Sequence, residues 1–330
     1  MPTLYITTPG ARLEKDYQRL IVVKDDALLI RIPIFRVDHV VLVGSAGITT
    51  PAMIALLKNG AGLAVIDHNG KLIGRLNPPE HKNIHLRQTQ YQRGQDPDFC
   101  LSVARACVYG KIRNAAAMAA RMRRKHPQID AIILEKLRLA GKEARKAESL
   151  ESLRGIEGKS ARIYFLAFRQ ALQDNWTFGA RTRRPPKDEI NALLGLAYTL
   201  LHENLVTALE IAGLDPYEGF FHADKYGRPA LALDLMEEFR HIIADSVVLG
   251  LVNKRILKPQ DFIKEKDCYR LNKPALEKFF KAYQHRLHTQ VIHPVVQKKL
   301  SYQKCFEVQA RLLRKTIEGT EPCYQPFLTR

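Results

Sequence analysis

A chain of 330 residues is longer than one ordinary core, which predicts about two domains at roughly 150 residues each, and its 46% apolar content supports globular folding. With 52 Lys and Arg against 34 Asp and Glu the formal charge is +18, so a polyanion, nucleic acid first, leads over a membrane surface or simple solubility as the reason for the charge. Five scattered cysteines (Cys100, Cys107, Cys268, Cys305, Cys323) without a CxxC pair argue against both a disulfide framework and a thiolate zinc site. The N-terminal MPTLYITTPGARLEKDYQRL holds neither a basic-then-apolar leader nor a spanning run of about 20 apolar residues, so a soluble, cytoplasmic protein without a membrane span is expected.

In chain order, TLYIT, RLIVV, LLIRIPI and HVVLVG are short, β-branched and separated by polar or glycine stretches, which predicts strands. TTPAMIALLKNG then predicts one short helix capped by Thr50, with Pro51 at its first position and Gly60 as its stop. Asn69-Gly70 between apolar runs predicts a hairpin, and Asn77-Pro78-Pro79 closes this part of the chain. From Asp96 the apolar period becomes helical: an Asp cap and Pro97 open a long helix that runs to Pro127. DEINALLGLAYTLLHENLVTALEIAG is apolar nearly all round up to Gly213, the pattern of a central buried helix, and HPVVQKKLSYQKCFEVQARLLRK reads as a last amphipathic helix. The expected fold class is α+β: a mainly β N-terminal domain over residues 1–79, a linker over 80–95, and a larger all-α domain over 96–330.

Charge is regional as well as large. Residues 101–190 hold 20 basic against 9 acidic side chains, whereas the first hundred hold 12 against 9, which points to a binding surface in the central region.

Two stretches carry candidate chemistry. In GFFHADKYGRPALALDLMEEFRHIIADS, Gly227 and Pro229 place a helix start near Ala230. At about 100° per residue, Leu231, Leu235, Met236, Phe239, Ile242 and Ile243 then share one side, and Asp234, Glu237, Glu238, His241 and Asp245 the other. Alone this is an ordinary amphipathic helix with a solvated acidic face. Within a cationic, phosphate-binding domain, however, such carboxylates repel the ligand unless a divalent cation intervenes. Mg²⁺ or Mn²⁺ suits carboxylate oxygens, Mn²⁺ also accepts an imidazole such as His222, and His222 bonded to backbone is an equal alternative. In SLESLRGIEGKSARIYFLAF, Glu157 lies between Gly155 and Gly158 and is flanked by Arg154, Lys159 and Arg162. Two helical glycines cost roughly 1 kcal/mol each against Ala, so a close approach of another helix or of a phosphate is expected to compensate. The three cations fit phosphate contacts or a solvated face.

LRGIEGKSAR, the GLDPYEGFFH loop and the PALALDLMEEFR helix, in this order and at this separation, resemble the CRISPR-associated adaptation nuclease and integrase, the Cas-one family, over essentially the whole chain. The resemblance implies a β domain that dimerises and a helical catalytic domain that binds DNA. It matches the family's metal-site glutamate to Glu157, its histidine to His222 and its helical acid pair to Asp234 and Glu237. Glu157, His222 and Asp234 are the implied ligands, with Glu237 acting directly or through water, since some relatives carry aspartate there. Implied too are Mg²⁺ or Mn²⁺, DNA contacts at Arg154, Lys159 and Arg162, a homodimer, and the small Cas-two adaptation partner. The implied reaction is attack of a DNA 3′-hydroxyl on a phosphodiester, which joins a spacer to a CRISPR repeat; water in its place gives nuclease activity. No GxxxxGK[ST] loop implies ATP. A structure-specific repair nuclease and a non-catalytic nucleic-acid scaffold are the alternatives.

Overall fold

The computed structural model describes residues 3–67, 72–78, 83–173, 176–182, 185–222, 226–265 and 268–329. Strands β1 (Thr3–Ile6), β5 (His39–Val43) and β7 (Gly62–Ile66) run parallel, and β8 (Leu72–Leu76) pairs antiparallel with β7, in the order β1-β5-β7-β8. A second sheet is ordered β4-β3-β2-β6, from β2 (Arg12–Asp16), β3 (Arg19–Lys24), β4 (Ala27–Pro33) and β6 (Gly47–Ile48). The expected Asn69-Gly70 turn lies outside the described residues, although the strands flanking it pair as a hairpin does. Helix α1 (Thr50–Lys58) is capped by Thr49 rather than Thr50: the Thr49 hydroxyl accepts from the Ala52 N–H at 3.4 Å.

The alternation along β5 explains why HVVLV is apolar throughout. Val40 and Leu42 join Leu4, Leu13, Leu20 and Leu56 in the core between the sheets, while Val41 and Val43 enter the core of the helical part. A strand buried on both faces has no solvent side to keep polar.

The segment expected as a linker holds helix α2 (Ile84–Gly94), capped by the Asn83 side chain, which accepts from the Leu86 N–H at 3.2 Å. Its Gln90 is wholly buried. The amide donates to the Asp215 and Glu218 carbonyls at 2.8 and 3.0 Å and accepts from the Asp215 N–H at 2.9 Å. The following helices are α3 (Pro97–Lys125), α4 (Ala131–Lys146), α5 (Leu150–Gln170), α6 (Glu189–Ala212), α7 (Ala230–Phe239), α8 (Ser246–Asn253), α9 (Lys273–His288) and α10 (Tyr302–Ile317). Side-chain caps from Asp96, Asp130, Ser149, Asp188 and Ser301 fix the starts of α3, α4, α5, α6 and α10, satisfying N–H groups that have no partner within the helix.

This part is mainly but not wholly helical. It also carries two small antiparallel ribbons, β9 (Phe262–Glu265) with β10 (Cys268–Leu271), and β11 (Gln290–Ile292) with β12 (Lys299–Ser301). The second ribbon takes the front half of the expected last helix, which starts only at Tyr302. Helix α6 is apolar and long enough to cross a membrane, yet Leu193, Leu194, Leu200, Leu201, Leu205 and Leu209 are buried in the main core. It ends at Gly213, whose φ of 84° lets the chain turn into the loop that carries His222.

Candidate active site

Helix α3 is the platform on which α5 and α7 both pack, and the site forms where the three meet. Helix α7 opens at Ala230, as the sequence predicts, and the 214–222 loop folds back over it. Gly219 is required at that crossing, because a Cβ there would lie 2.7 Å from the Ala230 Cβ and 2.9 Å from its backbone carbon.

Asp234 holds the loop in place. Its Oδ2 accepts from the Phe220 and Phe221 N–H groups at 2.7 and 3.0 Å, and its Oδ1 accepts from the His222 N–H at 2.9 Å and from His222 Nδ1 at 2.7 Å. A carboxylate only accepts, so this contact places the imidazole proton on Nδ1 and leaves the lone pair on Nε2. Nε2 points toward Glu237 Oε1, 3.9 Å away. Both Asp234 oxygens are thus occupied and the residue is 1% exposed. In this arrangement Asp234, expected as a ligand, faces three loop N–H groups and His222 Nδ1.

Glu157, on α5, and Glu237, on α7, converge on the Lys111 ammonium of α3. Lys111 pairs with Glu157 Oε1 and lies 2.5 Å from Glu237 Oε2. Arg240 donates to Glu237 Oε1 at 2.7 Å. Burial alone would push the Glu237 carboxyl up; Arg240, then Lys111, outweigh it and hold the carboxyl below its ordinary value. Glu237 Oε2 is buried, and the Lys111 ammonium is the charge that faces it. Two carboxylates and an imidazole Nε2 fit Mg²⁺ or Mn²⁺ by donor chemistry. Among the described residues, however, no three His, Cys, Asp or Glu side chains form a ready metal cluster. Lys111 stands between the two glutamates.

The acidic side of α7 is not solvated, contrary to the amphipathic reading. Asp234, Glu237, Glu238, His241 and Asp245 are all buried. Glu238 accepts from the Tyr324 hydroxyl at 2.6 Å, the Phe327 N–H at 2.6 Å and Gln309 Nε2 at 2.8 Å, and burial pushes its carboxyl up to about 8 despite these bonds. His241 and Asp245 face each other at 2.7 Å across a π-helical segment, His241–Asp245, and the Tyr198 hydroxyl donates to Asp245 at 2.6 Å. The Arg240 guanidinium lies 5.0 Å over the Tyr198 ring, which fixes its direction toward Glu237.

The three expected phosphate contacts separate. Arg154 donates to the Phe221 carbonyl at 2.9 Å and lies over its ring, so it clamps the loop. Lys159 and Arg162 lie about 200° and 140° around α5 from Glu157. They line a groove of about 680 Å³ with Lys136, Leu139, Ala140, Glu143 and Ile163, on another side of α5 from the glutamate. Side chains added at Gly155 or Gly158 would meet nothing within 4 Å, so no neighbouring helix compensates for these glycines, and they leave open surface beside Glu157.

Sequence reasoning missed Lys111 and Arg240. A signal for Lys111 was available: it sits at i+4 from Cys107 and i−4 from Ala115, on a mostly apolar face of α3.

A β domain locked onto a helical domain, with carboxylates and an imidazole gathered at the helix crossing, has the makings of a phosphodiester-acting centre. The family model described as CRISPR associated protein Cas1 matches residues 4–285, and the chain belongs to that family. It is 40% identical to the CRISPR-associated endonuclease Cas1 3 of Thermus thermophilus, over 92% of this chain and 89% of that protein. It is 34% identical to the CRISPR-associated endonuclease Cas1 1 of Chlorobaculum tepidum, over 99% of this chain and 98% of that one. Its fold matches a Cas1 protein from Thermotoga maritima with a TM-score of 0.83 at 22% identity, each chain covered in full. It also matches a chain of a Cas6-RT-Cas1–Cas2 complex with a TM-score of 0.83 at 27% identity, over 98% of this chain and 36% of that one.

Proposed function

We propose that the protein is a metal-dependent DNA endonuclease and integrase of CRISPR adaptation, which inserts spacer DNA into a repeat array. The placing of Glu237 between Glu157, which it faces across Lys111, and the Nε2 of His222, 3.9 Å from its other oxygen, carries this reading, and the endonuclease names of its relatives agree with it. Mg²⁺ or Mn²⁺, held by those three side chains, would supply Lewis acidity toward a phosphoryl oxygen. The chain's own residues prepare the site. Asp234 keeps the proton on His222 Nδ1, Arg240 fixes the Glu237 carboxylate, and Arg154 holds the loop from below. In the transfer, a 3′-hydroxyl of the incoming strand forms a new P–O bond as the existing bond to the leaving 3′-oxygen breaks, and the proton lost by the first oxygen balances the one gained by the second. Water in place of that hydroxyl gives cleavage.

Lys136, Lys159 and Arg162 would carry a stretch of DNA backbone along their groove. For a homodimer, the β domain offers β4 at a sheet edge, with Leu28, Leu29 and Ile30 exposed along it. A small Cas2-type partner is consistent with the Cas1–Cas2 complex among the structures of similar fold. The test is strand transfer by the purified protein, with that partner, into a repeat-bearing plasmid. Wild type with Mn²⁺ should form joined products and Glu157→Ala should not. Cleavage of branched DNA without any joining would favour a repair nuclease, and DNA binding indifferent to metal and to Glu157→Ala would favour a scaffold.

A further inference from the structure

We propose that Lys111 is a tethered counter-ion of the site: it holds Glu157 and Glu237 together until a divalent ion arrives, and it must leave their oxygens for that ion to bind. The inference rests on the metal-site reading above. Its basis is the geometry of three helices. Glu157 comes from α5 and Glu237 from α7, and the lysine reaches both from α3, the helix against which each of the others packs. Lys111 is 5% exposed on a buried, mostly apolar face that it shares with Asn114. An unpaired ammonium there would be costly, and so would two carboxylates facing one another without a cation. Each charge accounts for the presence of the others.

The same contacts make lysine and metal mutually exclusive. The ammonium lies against Glu157 Oε1 and Glu237 Oε2, the oxygens that a divalent ion shared by these two side chains would take. Of the two cations at the site, Arg240 is held by the Tyr198 ring and by Glu237 Oε1, the other oxygen of that carboxylate, and so does not stand in the way. Lys111 is the one that can move, because its head is a point charge on a flexible four-carbon stem. Once displaced it remains beside the site as a positive charge without its carboxylates, and an anion such as a DNA phosphate would satisfy it. Metal and DNA should therefore reinforce one another's binding through this residue.

Calorimetric titration with Mn²⁺ and no DNA tests the inference in wild type, Lys111→Met, Lys111→Arg and Glu157→Gln, each also followed by thermal melting in chelator and in Mn²⁺. Methionine keeps the length of the stem without the charge. Lys111→Met should bind Mn²⁺ at least tenfold more tightly than wild type, melt lower in chelator, and gain more on adding Mn²⁺. Lys111→Arg, with a fork that holds carboxylates in two-point contact, should bind Mn²⁺ more weakly than wild type while staying folded. Mn²⁺ affinity in Lys111→Met equal to or below that of wild type overturns the proposal; should that variant unfold in chelator and stay unfolded in Mn²⁺, unweakened binding by Lys111→Arg overturns it. Undiminished Mn²⁺ binding by Glu157→Gln would instead overturn the metal site itself.

Discussion

Replacing Asp234 by Asn should disable His222 without emptying the loop of hydrogen bonds. Asp234 offers two acceptor oxygens to three backbone N–H groups and one imidazole N–H, and Asn has one acceptor and one donor. If the Asn oxygen serves Phe220 and Phe221, its NH₂ faces His222, the ring can only accept there, and the proton moves to Nε2. The opposite rotamer sets the NH₂ against two N–H groups and is worse. The first arrangement leaves the His222 N–H without its acceptor, at a cost of about 1–3 kcal/mol, and it closes Nε2 to a metal. Loss of a partner that orients a metal-binding histidine typically lowers metal affinity or activity by about 10–100-fold. Mn²⁺ titration, thermal melting and the histidine ¹⁵N spectrum together decide the matter. The expected outcome is a folded variant with weakened Mn²⁺ binding and the His222 proton on Nε2. Retained Mn²⁺ affinity would refute the orienting role. Lost affinity with the proton still on Nδ1 would refute it too, and would make Asp234 a direct ligand.

The Glu237 carboxyl lies below its ordinary value of 4.5 in the folded protein, so the unfolded chain binds more protons below that pH and stability rises with pH there. Its contribution is present above about pH 4.5 and is lost as pH falls through the folded value; urea melts from pH 3 to 7 should therefore show a flatter acid limb for Glu237→Gln than for wild type. Phe327 is 1% exposed against Phe239, His293 and Tyr302, and Phe327→Ala should cost about 3–5 kcal/mol in urea unfolding. Charges placed on β4, as in Leu28→Glu with Ile30→Glu, should break the proposed homodimer in sedimentation with an unchanged circular dichroism spectrum, since both side chains are exposed in the single chain; a dimer that survives them places the interface elsewhere.

What the sequence made legible was local. The Asp96 cap with Pro97, the start of α7 at Ala230, the stop at Gly213 and the apolar run of α6 each depend on neighbours within a turn or two, and each stands where expected. Glu157, His222, Asp234 and Glu237 came from motifs, and the fold sets Glu237 between Lys111, which also holds Glu157, and His222, which Asp234 bonds. The amphipathic reading of α7 failed because what covers its acidic side comes from far along the chain: α3 supplies Lys111, and the segment after α10 supplies Tyr324 and Phe327. Periodicity reports that two faces differ; it cannot report that the polar one is buried by polar partners. The helix inside the expected linker of 80–95 was not legible for a similar reason, since α2 has little apolar stripe of its own and is held by the bonds of Gln90 to the 215–218 backbone. The strand Arg12–Asp16 was missed because RLEKD is charged, and only Leu13 is driven into the core.

Glu237 and Glu238 are adjacent, yet their partners come from different parts of the chain. Glu237 finds Lys111 and Arg240 among residues already made or nearly so, whereas Glu238 needs Tyr324 and Phe327, and Asn114 donates to both the Glu238 and the Phe327 carbonyls. Residues 324–327 leave the ribosome after every residue they touch. Until they emerge, the carboxyl beside Glu237 has no Tyr324 or Phe327 to receive it, and α7 lacks its last clasp. A chain without residues 324–327 would still carry Glu157, His222 and Glu237, but Glu238, next to Glu237, would lack the Tyr324 and Phe327 bonds that fasten this end of α7.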